Sequence, residues 1–596
     1  VKDRTLIAAM FVAAFLAIHL TIVLAGISPV VKGELIDTDG YMRALRVERM
    51  LGTGAWFDPA EPRSDAPFGE SSHWTRPLDA ILAAIALPAI PFVGIRRAVF
   101  AAGVVLPPLL TLIICLGTAW AVRPLVGARA ALIIPIAVLA QPIIAEYSLA
   151  GRVDHHSLIL ALFVMALGYL VLVLSQDEET RYASSAGVLT GLGLWVSTEF
   201  LAPLALLLGA LAYGWILRGR GRARAALRFS TALAASVIVA VLLERGPAGF
   251  LAIEFDRISL PHVLVAGLAL AFWACVAGLG RWTRWWRGRL AAATVGAALA
   301  AALMTAVFPD FFGGPFVSVD RATADLWLRN VSELHSILPG RGGSVGAMLF
   351  HLGPVLVALP WFATRAVKER GTPRQPSWIL LLCGLVAFTA LALLQRRWST
   401  YAELLAAVGL AGALVPTLDG LSRVKPTVVR TVARAGVVGI ALVGFPLVGG
   451  VLSKGTRTPT PPTVEAPCAL RAALQSLDSD SRPHTILAFM DFGPEILYRS
   501  SHRVVATPYH RNTGIVDSHR ILSTMTPGEA RMALRRREVD IVLLCPARDR
   551  GFFSGTEGSS DQETLYARLT NSDPPSWLRR LPVPRETGFV AYELVE

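Results

Sequence analysis

The chain has 596 residues, of which 54% are hydrophobic and 17% charged, with 56 Lys and Arg against 43 Asp and Glu and a formal net charge of +13. Soluble domains carry about a quarter charged residues, so this composition excludes an ordinary soluble enzyme and points to a polytopic membrane protein. The positive charge does not imply nucleic acid as a partner. It sits in short loops between apolar runs (Arg218 to Arg228, Arg281 to Arg289, Arg365 to Arg374), the positive-inside pattern of cytoplasmic loops.

In chain order, Thr5–Ile27 is a first apolar run behind Lys2 and Arg4. It lacks a small-residue cleavage site, which favours a retained span over a removed signal. The polar stretch Ser28–Arg97 follows, carrying Asp37-Thr-Asp-Gly-Tyr41. Arg43, Arg46 and Arg49, three residues apart, form one stripe of an expected interfacial helix, where arginines snorkel or meet lipid phosphates. Leu78–Val93 is apolar but short and holds Pro88 and Pro91, so it reads as re-entrant or interfacial. Further spans are expected near 98–122, 128–145, 157–175, 185–198, 201–217, 229–243, 262–279, 290–308, 346–362, 378–394, 400–417 and 434–452. These make about thirteen, with the N-terminus inside. Every strongly basic loop then lies inside. The loops carrying Asp39, Asp154, Glu333 and Arg397 lie outside, and Ser197-Thr-Glu199 must make a very tight external turn.

Residues 1–454 therefore read as a transmembrane domain with long external loops near 28–97 and 309–345, and residues 455–596 as a separate periplasmic domain. Gly455–Pro462 has the composition of a linker. Expected strands at His484–Asp491, Arg503–Thr507, Val539–Cys545 and Phe589–Val595 alternate with helices at Ala466–Leu477, Gly528–Arg537 and Asp561–Asn571. That alternation describes a compact α/β domain. Cys468 and Cys545 fall in it, outside the cytosol, as free thiols or as a disulfide.

The outer face thus collects carboxylates from distant parts of the chain: Asp37 and Asp39, Asp154, and Glu333 within Asn330-Val-Ser-Glu-Leu-His335. Loop carboxylates converging on a site suit a divalent cation, Mg²⁺ or Mn²⁺, with His155, His156 and His335 available as further ligands or proton carriers. Arg397, in Gln395-Arg-Arg-Trp398 between two spans, supplies cationic donors for phosphate. His73 and Trp74 either stack on a sugar or anchor the loop at the interface. Asp37 either joins the site or caps the helix beginning near Tyr41, and Asp491 either contacts the acceptor or ends a strand.

These residues resemble the motifs of oligosaccharyltransferase catalytic subunits, GT-C glycosyltransferases. Asp39-Gly-Tyr41 matches the family's first-loop acid, Ala150-Gly-Arg-Val-Asp154 its second-loop acid, and Asn330-Val-Ser-Glu333 its later loop; Arg397-Trp-Ser-Thr-Tyr-Ala402 resembles its arginine segment. The resemblance implies a GT-C fold with about 13 transmembrane helices in a bacterial inner membrane. Its active site would be periplasmic, and it would act, expected as a monomer, on a polyprenyl-(di)phosphate sugar donor drawn from membrane lipid. By it, Asp39, Asp154, Glu333 and His156 would bind the cation and Asp39 and Glu333 would activate the acceptor. Arg397 and Arg152 would bind the donor phosphate, and Asp37, His73, Trp74, His155, His335 and Asp491 would contact acceptor or sugar. Three positions depart from the family pattern. His156 stands where relatives carry a second acid, and Tyr147 where they carry an arginine. Phe489-Met-Asp-Phe-Gly493 stands for their Trp-Trp-Asp-Tyr-Gly. Phe and Met cannot donate the indole hydrogen bonds that read an Asn-X-Ser/Thr acceptor, which leaves protein, polysaccharide and lipid open as acceptors. A lipid-linked monosaccharide transferase of the same fold and a polyprenyl-glycan transporter are the alternative readings.

Overall fold

The structure, a computed structural model, describes residues 2–21, 28–175, 181–278, 283–454, 468–477, 482–554 and 564–595. Long apolar runs fold as helices because only a helix satisfies its own backbone within lipid. The helices are α1 (Lys2–Leu16), α2 (Thr38–Thr53), α3 (Arg76–Ala86), α4 (Ile95–Leu139), α5 (Pro142–Tyr147), α6 (His156–Ser175), α7 (Arg181–Val196), α8 (Leu201–Arg218), α9 (Arg220–Arg245), α10 (Leu260–Gly278), α11 (Trp286–Val307), α12 (Val345–Leu352), α13 (Val355–Lys368), α14 (Gln375–Leu394), α15 (Ser399–Gly420) and α16 (Thr427–Gly439). Among the described residues, eight helical segments are long and apolar enough to cross a membrane, or nine if α12 and α13, bent by 48°, form one span. The 45 residues of α4 are broken at Gly127, whose φ of 81° no helical residue adopts. Unbroken, they would measure about 67 Å, twice the hydrocarbon thickness.

α3 has 11 residues, about 16 Å, too short to span; it packs on α2 instead. That packing corrects the expectation for the arginine stripe. Arg43 and Arg46 do not face lipid: both are buried against Asp79 of α3, at 3.0 and 2.9 Å, and Arg76 adds a third guanidinium at 3.2 Å. Arg49 pairs with Asp58 at 2.7 Å. The anion that holds the stripe lies more than thirty residues downstream, beyond the reach of local periodicity.

The C-terminal part is a five-stranded sheet of β3 (Thr485–Ala488), β4 (Arg503–Val504), β5 (Ile541–Leu544), β6 (Leu578–Leu581) and β7 (Val590–Leu594), in the order β4-β3-β5-β7-β6. β3 runs parallel to β4 and β5, and β7 antiparallel to β5 and β6. All four expected strands are present, shortened, together with an additional edge strand, β6. The expected linker Gly455–Pro462 lies outside the described residues, as do the starts of the helices expected at Ala466 and Asp561. Cys468 and Cys545 form a disulfide that closes a separation of 77 residues.

The polar stretch between α1 and α3 docks this domain. It includes a small hairpin, β1 (Ala60–Glu61) with β2 (Glu70–Ser71). Val504 N donates to the Arg63 carbonyl and Ala66 N to the Val504 carbonyl, so the loop covers the β4 edge. The Arg63 guanidinium donates to the carbonyls of Leu497 and Ser500, and Asp65 pairs with Arg537 at 2.8 Å. Glu70 is buried and accepts hydrogen bonds from Ser64, Thr507 and Asn512. Burial pushes its carboxyl up to about 7, against those three hydrogen bonds.

Candidate active site

Two loops distant in sequence meet through one backbone hydrogen bond, Ile36 N to the Gly151 carbonyl at 3.2 Å. Gly151 has φ of 90°, and a Cβ there would come within 2.5 Å of the Val30 side chain, so only glycine permits the approach. Asp37, at the start of α2, caps it through Gly40 N at 2.8 Å; its other oxygen faces Arg152 Nε at 3.3 Å. Capping leaves Asp39 in the first turn of α2, and no hydrogen bond or ion pair of the described residues holds its carboxylate.

Asp39 lines a cavity of about 470 Å³ with Asp37, Arg152, Asp154, His155, His156, Glu333 and Arg397. Residues that the chain separates by up to 360 positions thus share one wall. Burial raises the Asp39 carboxyl well above the usual range, and Asp154, Asp37 and Glu333 push it further. Asp37 is raised to about 6, first by burial, with Arg152 opposing. Burial would raise Asp154 too, but His156 and His155 beside it bring it well below the usual range. One wall therefore holds carboxylates that repel one another, a condition that a cation relieves.

Asp154 orients both histidines: its Oδ1 lies 2.7 Å from His155 Nδ1 and its Oδ2 2.6 Å from His156 Nδ1. Tyr147 stacks on the His156 ring, 4.6 Å between centroids, and its hydroxyl donates to Glu333 Oε1 at 3.0 Å. Tyr147 thus performs part of what a cationic side chain would do at this place. Arg152 does the rest, donating to Glu333 at 3.1 Å and to Glu146 at 2.8 Å while stacking over the Tyr147 ring. Arg152, expected at the donor phosphate, faces three carboxylates in the structure, those of Asp37, Glu146 and Glu333, an arrangement suited to clamping the site's own acids. Arg397 forms a close ion pair with Glu199, a residue absent from the sequence-derived site.

The residues expected at the acceptor or sugar divide. His73 and Trp74 line the cavity, with the His73 ring 4.4 Å from that of His510 and Trp74 edge-on to Tyr509 at 4.9 Å. Burial lowers His73 well below its usual value. Asp491 also lines the cavity, 3.7 Å from Arg548. His335 does not line the cavity: its Nε2 bonds the Arg329 carbonyl at 2.8 Å and its own carbonyl accepts from Arg396 N. Tyr509 and His510, with Asp256 bonded to His510 at 2.7 Å, are wall residues that periodicity did not reveal.

The residues fit a divalent cation. Carboxylate oxygens with one imidazole form a donor set for Mn²⁺ or a similar ion. His156 Nε2, buried and without a hydrogen-bond partner among the described residues, faces Glu333 Oε2 at 3.7 Å and is a candidate ligand atom. Asp154, His155 and His156 themselves bring candidate ligand atoms within 4.8 Å of one another.

No family model matches the sequence, and no curated protein matches it. Solved structures do. The archaeal oligosaccharyltransferase AglB from Archaeoglobus fulgidus, in complex with an inhibitory peptide and a dolichol-phosphate, superposes with a TM-score of 0.77 at 13% identity, covering 97% of this chain and 79% of that one. The Archaeoglobus fulgidus oligosaccharyltransferase complex with Zn and sulfate gives 0.69 at 15% identity, with 97% and 79% covered. The same organism's enzyme tethered to an acceptor peptide containing the NVT sequon gives 0.66 at 14%, with 91% and 68% covered. The fold is therefore that of the GT-C glycosyltransferases. It is the fold of those oligosaccharyltransferase structures, with a helical membrane part joined to a C-terminal sheet domain.

Proposed function

We propose that the protein is a membrane glycosyltransferase that moves a sugar or oligosaccharide from a polyprenyl-(di)phosphate donor to an acceptor on the periplasmic face. One observation carries the reading: Asp39, Asp154, His156, Glu333 and Arg397, from four separate external loops, line one cavity. The neighbours' printed contents, a dolichol-phosphate in one and an acceptor peptide in another, agree with a lipid-linked donor and an external acceptor.

A route for the lipid supports it. Arg397 and Glu199 also line a recess with Leu201, Phe255 and Trp398. That recess shares Phe311 with an apolar groove of about 460 Å³ between α8, α10 and α11. A donor phosphate at Arg397 would leave its chain running into this groove. Splitting α4 at Gly127, and counting the bent pair α12–α13 with the shorter apolar helices Ala8–Leu20, α7 and Leu260–Val276, supports about thirteen spans. The disulfide supports a C-terminal domain, residues 455–596, in an oxidising compartment such as the periplasm. Carboxylates gathered at helix ends rather than mid-span favour interfacial chemistry over transport.

In the reaction, Asp39 holds the acceptor's nucleophilic atom and takes its proton, with Glu333 fixed beside it by Tyr147 and Arg152. The nucleophile displaces the phosphate at the anomeric carbon from the opposite side, which inverts that centre. Arg397 meets the charge that develops on the leaving phosphate. Asp39, Asp154, Glu333 and His156 would hold a divalent cation, which when bound supplies Lewis-acid stabilisation of that phosphate. Mass spectrometry of glycans and glycoproteins from cells with and without the protein tests the reading. One glycan or glycoconjugate class should disappear with the gene, and identical profiles would refute glycosyl transfer.

A further inference from the structure

We infer that Glu199 is a ligand of the site's divalent cation and couples it to Arg397, an inference that rests on the metal-dependent reading above. Glu199 lies in the 3₁₀ turn Thr198–Phe200 between α7 and α8, where Ser197 Oγ accepts from its amide. That turn, three residues long, carries a half-buried carboxylate to the cavity wall from a fifth segment of the chain.

The two oxygens of Glu199 face different groups. Oε1 forms the close ion pair with Arg397. Oε2 lies 3.9 Å from His156 Nε2, and Glu333 Oε2 lies 3.7 Å from the same nitrogen. These separations are too long for hydrogen bonds. They match the spacing of ligands around one ion: two atoms each about 2.1 Å from a shared cation stand about 3 to 4 Å apart.

The independent observation is His156 itself. The residue is 5% exposed, yet among the described residues its Nε2 has no hydrogen-bond partner. A buried ring nitrogen left bare costs free energy unless something occupies it. Its Nδ1 is held by Asp154 at 2.6 Å; a neutral ring with its proton on that nitrogen would offer the Nε2 lone pair to an ion, as carboxylate–histidine pairs do at metal sites. An imidazole so oriented faces one carboxylate oxygen of Glu199 and one of Glu333, neither of which reaches it.

Glu199 thereby joins two functions. One oxygen holds the cation and the other holds the guanidinium, so cation and arginine are fixed side by side. A phosphate bridging them meets positive charge on both flanks. As a mere counter-ion for Arg397, Glu199 would need no approach to His156.

The test is Mn²⁺ binding by the purified full-length protein in detergent, read from the loss of the free-Mn²⁺ EPR signal, with no donor or acceptor present. The wild type should bind one Mn²⁺, and Glu199→Gln should weaken that binding roughly tenfold or more. Because Glu199→Gln strands Arg397, the double variant Glu199→Gln/Arg397→Gln is measured as well, with no net buried charge left behind. It should bind Mn²⁺ as poorly as the single variant. If the double variant binds as tightly as the wild type, or tighter, Glu199 serves only Arg397 and the inference fails while the metal-dependent reading stands. A wild type that binds no Mn²⁺ overturns both.

Discussion

Replacing Arg152 by Gln separates two roles for this arginine. In the structure it faces Asp37, Glu146 and Glu333 at 3.3, 2.8 and 3.1 Å, and its side chain is 12% exposed. Each carboxylate keeps another partner without it: Asp37 the Gly40 amide, Glu146 the Arg396 guanidinium, Glu333 the Tyr147 hydroxyl. The variant should therefore fold, and the loss should fall on where Glu333 sits. One hydrogen bond to a charged group contributes about 1.5–3 kcal/mol. If that energy is realised in the transition state, the turnover rate falls about 10- to 100-fold. The assay is steady-state transfer from a lipid-linked sugar, with donor KM and kcat determined separately. The clamp predicts a lower kcat with donor KM little changed. A donor KM raised tenfold with kcat intact would refute the clamp and return Arg152 to the donor phosphate.

Three further outcomes are expected. Glu403 is fully buried, with one oxygen 2.9 Å from His351 and the other accepting from Ile143 N at the start of α5, the helix that carries Tyr147. Glu403→Leu should cost about 3–5 kcal/mol and lower the melting temperature in detergent, while Glu403→Leu/His351→Leu recovers most of it; a double variant no better than the single contradicts the pairing. The disulfide should leave three thiols, Cys115, Cys275 and Cys383, open to alkylation in unreduced denatured protein and five after reduction, and Cys468→Ser/Cys545→Ser should cost about 4 kcal/mol; mass spectrometry finding five labels without reductant would rule the bond out. Glu70 titrates near 7 when folded and in the usual carboxylate range when unfolded, so its contribution is full at acidic pH and is lost as pH rises through about 7. Glu70→Gln should therefore flatten the fall in melting temperature between pH 6 and 8, and an unchanged slope would mean another group sets it.

What was legible in the sequence was chemistry with a local signature. Asp39, Asp154 and Glu333 stood out because charged residues at the lips of apolar runs are conspicuous, and span parity put them on one face. The strands β3, β5 and β7 showed as apolar runs between turn residues. Other features depend on pairing across the chain. Glu199 lay in a turn too short to carry a motif, and its meaning comes from Arg397, 198 residues on. The arginine stripe of α2 has the spacing of a lipid-facing surface, and only Asp79, from another helix, turns it inward. His335 sat beside Glu333 in sequence, but the backbone between them sends it to the Arg329 carbonyl. β6, Leu-Arg-Arg-Leu, has two exposed arginines at an edge and so lacks an apolar signature.

The central claim is that the carboxylate wall transfers a sugar from a lipid carrier. Purified protein incubated with polyprenyl-linked sugar and membrane acceptor, with and without EDTA, measures it directly, alongside Asp39→Ala and Glu333→Ala. The account predicts transfer by the wild type that EDTA abolishes and Mn²⁺ or Mg²⁺ restores, and none by either folded variant. Wild-type rates in both variants, or transfer indifferent to EDTA, would contradict it.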